Sequence, residues 1–150
     1  MILKEFRNND KRKTNIKKEK FRKIEFYLYN YDNLDNLVME IRDKYLNRIN
    51  LSKTTWLKGT NTFENQVVDM IDDKRIKEIN EWQVFLKGIL AFLNSKYNEY
   101  YEFVSLKYIK KKRKKEIKRL LKINDKEYEN MRNNIINFIY YDAISKCISF

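Results

Sequence analysis

The stretch that decides the fold runs from residue 99 to residue 142 and reads EYYEFVSLKYIKKKRKKEIKRLLKINDKEYENMRNNIINFIYYD. An apolar helical pattern that ends near Ile109 comes first, and a basic connection, Lys110 to Lys114, follows it. A short helix, a tight polar turn and a long helix complete the stretch. This order predicts a helix-turn-helix, a module that places its second helix in the major groove of DNA.

The motif can be read residue by residue from its apolar spacing. Ile117, Leu120 and Leu121 are predicted to form the buried face of the short first helix. Asn124 is predicted to cap the second helix, because Asn is among the strongest N-cap residues. The predicted inward face of that second helix consists of Tyr128, Met131, Ile135, Phe138 and Ile139.

The outward side chains at the start of the second helix are the candidate base-reading groups. Asn can pair bidentately with adenine, Lys with guanine, and a carboxylate can accept from cytosine. The base-reading candidates are Lys126, Glu127, Asn130 and Asn133. Cations around them would contact phosphates, which fixes position without reading sequence. The phosphate-contacting candidates are Lys110, Lys111, Lys112, Arg113, Lys114, Lys115, Lys118, Arg119 and Arg132.

The first turns of this helix are nevertheless acidic. Asp125, Glu127 and Glu129 stand there against Lys126 alone. Acidic side chains stabilise the N-terminus of a helix through its dipole, but they also repel phosphate. The pattern therefore favours helix capping or a limited, cytosine-directed readout.

The positive charge of the chain is concentrated in two clusters. The formal net charge is +12, and residues 107–122 contribute +9 and residues 1–24 contribute +7, which leaves −4 for the rest. Two basic clusters on a near-neutral body favour a polyanionic partner, here double-stranded DNA. Frequent Lys, Asn, Ile and Tyr are also typical of an AT-rich genome, which by itself raises the Lys count.

The composition predicts an all-α fold, because the chain contains two Gly and no Pro and strand-rich folds need many turns made of these residues. The predicted architecture is an N-terminal helical hairpin, a long central helix and a C-terminal helix-turn-helix. We divide the chain into a mobile basic arm (1–15), the hairpin with its linker (16–60) and a helical domain containing the motif (61–150).

Apolar spacing predicts the helices outside the motif. Residues 16–29 form the first helix, and Asp32 is predicted to cap a second helix that ends near Ile49. A helix over residues 63–73 leads to the central helix, which runs from Lys74 to about Asn94. The apolar face predicted for the first helix consists of Phe21, Ile24, Phe26, Leu28 and Tyr29.

Several classes of protein are disfavoured. Histidine is absent, which removes the commonest general base and metal ligand, and Cys147 is the only cysteine. We therefore expect neither catalysis nor a cofactor nor a bound metal. No apolar run approaches the length of a membrane span, and the basic N-terminus lacks the apolar core of a signal peptide. We expect a cytoplasmic protein without membrane contact.

The order of these parts resembles the ArpU/RinA-like phage late-gene transcriptional regulators, whose C-terminal part is like region four of bacterial sigma factors. The resemblance covers an opening hairpin, FRKIEFYLYNYDNLDNLVMEIRD, a helix around DDKRIKEINEW, and the segments VSLKY and EIKRLLKIN of the motif. The chain departs from the family at Lys118, where a small residue is usual, and at Asn124, where Ser is usual. The resemblance implies activation of late phage genes by operator binding, with either contact to the bacterial RNA polymerase or sigma-like occupancy of a promoter element.

Other interpretations stay open at this point. A DNA-packaging or plasmid-transfer accessory protein would also use a helix-turn-helix, and a helical protein-interaction domain would need no DNA contact. An enzyme, for instance a metal-dependent nuclease, would use Asp69, Asp72, Asp73 or Glu78, of which the first three lie at a helical spacing that could hold a divalent ion. The end of the last helix, with Tyr140, Ile144 and Ile148, either packs on the N-terminal hairpin or forms the seam of a homodimer.

Overall fold

The computed structural model describes residues 16–54 and 67–150, and all regular secondary structure within these ranges is helical. The all-α prediction is therefore confirmed. In chain order the helices are α1 (Lys18–Tyr29), α2 (Leu34–Thr54), α3 (Lys74–Lys96), α4 (Asn98–Val104), α5 (Lys114–Leu121) and α6 (Asp125–Ser145).

Three shorter helical segments connect these elements. A 3-10 turn, Tyr31–Asn33, precedes α2, a π-helical turn, Ser105–Ile109, extends α4, and residues 67–71 are helical before α3. The predicted arm over residues 1–15, the end of the predicted linker and the first residues of the predicted helix 63–73 lie outside the described residues. None of the described helices has the length and apolar character needed to cross a membrane.

The N-terminal hairpin forms as predicted, with one error in the inward face of α1. Ile24 and Leu28 are buried, but Phe26 is 49% exposed and Tyr27 is buried instead. Two residues along an α-helix rotate the side-chain direction by about 200°. Phe26 therefore lies on the side of α1 opposite Ile24, and Tyr27 takes the inward position.

The second helix of the hairpin begins and ends later than predicted. Asp32, predicted as its N-cap, lies inside the 3-10 turn, and α2 begins at Leu34 and continues to Thr54. In that turn the Asn33 N–H donates to the Asn30 carbonyl at 2.8 Å, which leads the chain directly into α2.

Trp82 lies at the centre of the core, in the middle of the long helix α3. It is fully buried, and its ring stacks on Tyr27 of α1 with centroids 4.7 Å apart. The ring also meets Phe150 edge-on at 5.4 Å, and the indole N–H donates to the Ser149 carbonyl at 3.0 Å. The central helix thus joins the N-terminal hairpin and the C-terminal residues in one core.

Asp73 determines where α3 starts. Its Oδ1 accepts the Arg75 N–H at 2.8 Å, which is the bond of a helix N-cap, and Oδ2 accepts the Tyr45 hydroxyl proton at 2.6 Å. The side-chain hydrogen bonds from Arg75 and Tyr45 hold the pKa of Asp73 well below its usual range, although burial opposes them. Asp73 therefore breaks the helix here and joins α2 to α3.

The helix before the motif and α5, the first helix of the motif, match the prediction except at Leu120. The helix through VSLKY ends at Ile109 by way of the π-helical turn, and α5 begins at Lys114. Ile117 is fully buried and Leu121 partly buried, but Leu120 is 50% exposed rather than buried. Leu120 lines a surface groove of about 340 Å³ beside Glu102 of α4, and this groove leaves it open to solvent.

The inward face predicted for α6 is confirmed, and burial extends beyond it. The predicted inward residues are either buried or partly buried against the core: Tyr128, Met131, Ile135, Phe138 and Ile139. Asn134, Ile136 and Asn137 are buried as well. Residues 134–139 of α6 are therefore enclosed on most sides, and the first turns of the helix are open to solvent.

The end of α6 packs on the N-terminal hairpin through its aromatic residues. Lys20 of α1 lies 5.6 Å from the Tyr140 ring centroid and 5.3 Å from that of Phe150. Tyr140 therefore packs on the N-terminal hairpin, which was the first of the two arrangements considered for the end of the last helix. Ile144, which shared the prediction, is 47% exposed, and a homodimer through this region stays a prediction.

Replacing Asp73 by Ala is expected to lower the free energy of unfolding at pH 7 by about 1–2 kcal/mol, the range for a lost N-cap. Asp73→Asn keeps a cap acceptor and should cost less. A carboxylate with a depressed folded pKa stabilises the fold above its unfolded pKa and loses this effect as pH falls. Urea unfolding should therefore show a smaller gap between wild type and D73A at pH 2 than at pH 7, and an unchanged gap would contradict the assignment.

Candidate nucleic-acid interface

A three-residue turn, residues 122–124, joins α5 to α6. Lys122 has φ 54° and ψ 46°, in the left-handed region, and the Ile123 N–H donates to the Lys118 carbonyl at 3.0 Å. This left-handed cap usually employs Gly, which has no Cβ to clash with the backbone. A turn of this length between two helices is typical of a helix-turn-helix.

Asn124 caps α6, as predicted, and Glu127 completes a capping box. Asn124 Oδ1 accepts the Glu127 N–H, and Glu127 Oε2 accepts the Asn124 N–H, both at 2.8 Å. These reciprocal bonds satisfy two donors that the helix start leaves unpaired. The carboxylate of Glu127 is therefore engaged, which makes it the least available of the four base-reading candidates.

Two lysines of α5 neutralise the other two carboxylates at the start of α6. Lys118 Nζ lies 2.9 Å from Asp125 Oδ1, and Lys114 Nζ lies 3.4 Å from the same oxygen. Lys114 also donates to Glu129 Oε1 at 2.8 Å. The side-chain bond from Lys118, supported by Lys114, keeps the pKa of Asp125 below its usual value. All three acids at the start of α6 therefore have partners within the protein.

Arg132 of α6 continues this series of ion pairs to α1. Its Nη1 lies 3.6 Å from Glu129 Oε2, and its Nε and Nη2 donate to the two oxygens of Glu25 at 2.7 and 2.8 Å. The resulting charge chain consists of Lys118, Asp125, Lys114, Glu129, Arg132 and Glu25.

Glu25 is the inner end of the charge chain, with a side chain only 15% exposed. Besides the two bonds from Arg132, it accepts the Tyr108 hydroxyl proton at 2.9 Å. Burial raises the pKa of Glu25, but the hydrogen bonds from Arg132 and Tyr108 outweigh burial and leave the pKa below its usual value. Glu25 therefore stays ionised and holds α1 and the π-helical turn against α6.

Lys107 belongs to the basic cluster by sequence but lies half-buried among tyrosines. Its Nζ donates to the hydroxyl oxygens of Tyr29 and Tyr128, each at 3.0 Å, and lies 5.2 Å from the Tyr108 ring centroid. Burial lowers the pKa of Lys107, but the hydrogen bonds to Tyr128 and Tyr29 outweigh burial and raise the pKa above its usual value. This cation joins helices and is not available to a partner.

The phosphate-contacting candidates fall into two groups. Lys114, Lys118 and Arg132 belong to the charge chain, and Lys112 pairs with Glu116 at 2.9 Å. Within residues 16–54 and 67–150, the others have no ion-pair partner, and their side chains are exposed: Lys110, Lys111, Arg113, Lys115 and Arg119. The connection between α4 and α5 and the outer face of α5 therefore carry the accessible positive charge.

Three of the base-reading candidates share the open face of α6. Lys126, Asn130 and Asn133 are spaced by four and three residues, so they lie on one side of the helix. Lys126 is exposed, Asn130 and Asn133 are half-buried, and in the described part of the chain none of the three has a side-chain hydrogen bond or ion pair. These three side chains can donate or accept hydrogen bonds from a partner.

Sequence reasoning missed Glu25 and Tyr108 as supports of this face. Glu25 is one acid in a basic amphipathic helix, and 107 residues separate it from Arg132. The amphipathic pattern of α1 predicted that its apolar side packs on the core, but it did not predict which residue its polar side would contact.

The carboxylates of the nuclease alternative do not form a metal site. Asp73 is engaged in the N-cap of α3, and Asp72 pairs with Lys77 at 3.0 Å. Among the described residues, no group of three or more His, Cys, Asp and Glu side chains is placed to hold a metal ion.

Comparisons of the chain with protein-family models, with curated proteins and with solved structures found no match. Because no relative suggests a function, the functional proposal is based on the surface around the start of α6.

Replacing Lys122 by Gly is expected to stabilise the protein by roughly 0.5–1 kcal/mol, because Gly removes the left-handed strain but adds backbone entropy to the unfolded chain. Lys87→Gly, at an exposed position inside α3, is the matched control and should destabilise by about 1 kcal/mol. Urea unfolding measures both variants. A loss of stability in K122G as large as in K87G would contradict the left-handed turn.

Replacing Glu25 by Gln is expected to lower the free energy of unfolding at pH 7 by about 2 kcal/mol, because the half-buried Arg132 loses its counter-charge. Glu129→Gln removes a more exposed carboxylate and should cost less than about 1 kcal/mol. Since the folded pKa of Glu25 is depressed, the effect of E25Q should shrink as pH falls below the usual pKa of Glu. Equal effects of the two variants in urea unfolding would refute the role given to Glu25.

Proposed function

We propose that this protein is a sequence-specific DNA-binding transcriptional regulator that presents the start of α6 to the major groove of double-stranded DNA. The observation that supports this best is the arrangement around the turn. A three-residue turn leads into α6, whose first turns are open to solvent, and among the described residues Lys126, Asn130 and Asn133 have no side-chain partner on its open face. This is the helix position from which a helix-turn-helix reads base edges.

The neutralisation of the acids at the start of α6 supports the proposal. Unpaired carboxylates there would repel DNA phosphates. Asp125 and Glu129 are instead paired with Lys118 and Lys114, and Glu127 is held in the capping box. Asp125 and Glu129 therefore contribute little net negative charge to the surface, whereas Glu127 keeps its charge at the positive end of the helix dipole.

The unpaired cations next to this face supply the attraction to the DNA backbone. The connection contributes Lys110, Lys111 and Arg113, and α5 contributes Lys115 and Arg119, all with exposed side chains. Each phosphate neutralised by such a cation makes the dependence of log K on log salt steeper by about 0.9. The proposed regulator therefore binds duplex DNA with a strong salt dependence.

The kind of regulator is proposed from the resemblance to the ArpU/RinA-like family. On that basis the protein acts on late genes of a phage or prophage in the bacterial cytoplasm, and it contacts the RNA polymerase of the host. Two copies bound to neighbouring half-sites, one helical turn apart, are the arrangement that helix-turn-helix dimers adopt on DNA.

Selection of bound duplexes from a random-sequence library tests the reading face. The wild type is expected to enrich a defined motif, and Lys126→Ala and Asn130→Ala are each expected to relax preference at one or two positions, at about 1–3 kcal/mol for a bidentate contact. Lys87→Ala and Asn94→Ala, at exposed positions of α3, are the matched controls and should keep the motif.

A second set of variants distinguishes phosphate contacts, which position the protein, from base contacts, which read the DNA sequence. The triple variant K111A/R113A/K115A is expected to weaken binding to all duplexes alike and to reduce the salt dependence. If the wild type enriches no motif, or if N130A and K126A select the same motif as the wild type, the proposed reading face is wrong.

A further inference from the structure

A groove of about 460 Å³ lies between α1 and the third turn of α6, and Arg132 is its one lining residue among the site candidates that the sequence identified. It is lined by Ile16, Lys18, Phe21, Arg22, Glu25 and Arg132. Lys18 and Arg22 come from the exposed side of α1, and Arg132 comes from the flank of α6.

The groove carries a net positive charge. The single carboxylate, Glu25, is matched by Arg132 through two hydrogen bonds. Lys18 and Arg22 have exposed side chains and, in the part of the chain that the structure describes, no ion-pair partner. Three cations against one carboxylate leave two uncompensated positive charges at the groove, so its electrostatic preference is for an anion.

Arg132 is held in a fixed orientation from two sides. Its guanidinium carbon lies 4.9 Å from the centroid of the Phe21 ring, and Glu25 accepts from its Nε and Nη2. A guanidinium has five N–H donors, so three remain after both bonds to Glu25 are made, and Nη1, which carries two of them, lies 3.6 Å from Glu129 Oε2, beyond hydrogen-bond distance. A rigid guanidinium with free donors is suited to phosphate, which it contacts with little loss of side-chain entropy.

The position of the groove relates it to the proposed reading face. Arg132 directly precedes Asn133, and successive residues of an α-helix are rotated by about 100°. Arg132 therefore points to the flank of α6 when Asn133 points to the bases. A helix with its side chains is about 10–12 Å across, close to the width of the major groove, so its flank faces the phosphates of the groove wall.

The lysines of α5 meet the same flank of α6 nearer its start. Lys114 and Arg132 share Glu129 as a partner, which places them on one side of the helix. Asp125, the partner of Lys118, and Arg132 are seven residues apart, which corresponds to about 10 Å along the helix axis. The groove thus lies on the same flank of α6 as Lys114 and Lys118, with the charge chain between them.

We propose that this groove binds a backbone phosphate of the same DNA duplex, so that Lys18 and Arg22 of α1 extend the contact with one strand beyond the reach of the connection. This inference rests on the proposed function. It assigns to the N-terminal hairpin a direct part in binding, in addition to its packing against α6.

The double variant K18A/R22A tests the groove, and R42A/K44A is its matched control. Arg42 and Lys44 are exposed on α2, whose main helix contact is with α3, and they have no ion-pair partner among the described residues. Both double variants lower the net charge by two. Circular dichroism melting checks that both remain folded.

The measurement is fluorescence anisotropy with a mixed-sequence duplex of about 24 base pairs, titrated over a series of salt concentrations. K18A/R22A is expected to reduce the slope of log K against log salt by about 0.9, the value for one phosphate contact, and to weaken binding at low salt by more than the control does. Equal slopes and affinities in the two double variants would overturn the groove proposal.

Two further results separate this inference from the proposed function. If the wild type binds duplex DNA and K111A/R113A/K115A weakens it while K18A/R22A behaves like its control, the proposed function stands and the groove proposal fails. If the wild type binds no duplex at low salt, both are overturned. A loss in K18A/R22A confined to single-stranded RNA of the same length would also overturn the assignment to duplex phosphate.

Discussion

The bidentate pairing of Glu25 with Arg132 is the interaction on which the rest of the proposed interface depends. Each of these groups loses hydration on packing, and each would be costly to leave unpaired. Satisfying both fixes the middle of α1 against the third turn of α6, and the bond from Tyr108 ties the π-helical turn to the same carboxylate. The carboxylate of Glu25 thus sets the relative positions of α1, the π-helical turn and α6.

The charge chain allows the start of α6 to carry acidic residues without a large net negative charge. Acidic residues stabilise a helix N-terminus, yet a surface that binds a polyanion has to be positive. Pairing Asp125 and Glu129 with lysines of α5 satisfies both demands, but it commits Lys114 and Lys118 to the protein. The proposed attraction for DNA therefore rests on nearby cations that have no ion-pair partner among the described residues, on the connection, on α5 and on α1.

Most of the fold could be predicted from the sequence, because its signals are local. The spacing of Ile117, Leu121 and Tyr128 identified the packed sides of α5 and α6, and Asn124 marked the helix start through a bond that spans three residues. The errors at Phe26 and Leu120 have different causes. Phe26 lies on the side of α1 opposite the buried Ile24, which the geometry of a single helix accounts for. Leu120 lies on the apolar side of α5 but lines a surface groove beside Glu102, and only the packing of α5 against α4 decides that.

The sequence by itself determined the all-α fold, the limits of most helices, the tight turn that ends at the Asn124 cap and the basic character of the surface. It did so because backbone propensity, capping and apolar periodicity act over a few residues. Only the tertiary structure decided which charges are free. Glu25 and Arg132 are 107 residues apart in the chain, and ion pairing depends on distance in space, so no local pattern could predict that Arg132 is paired with Glu25.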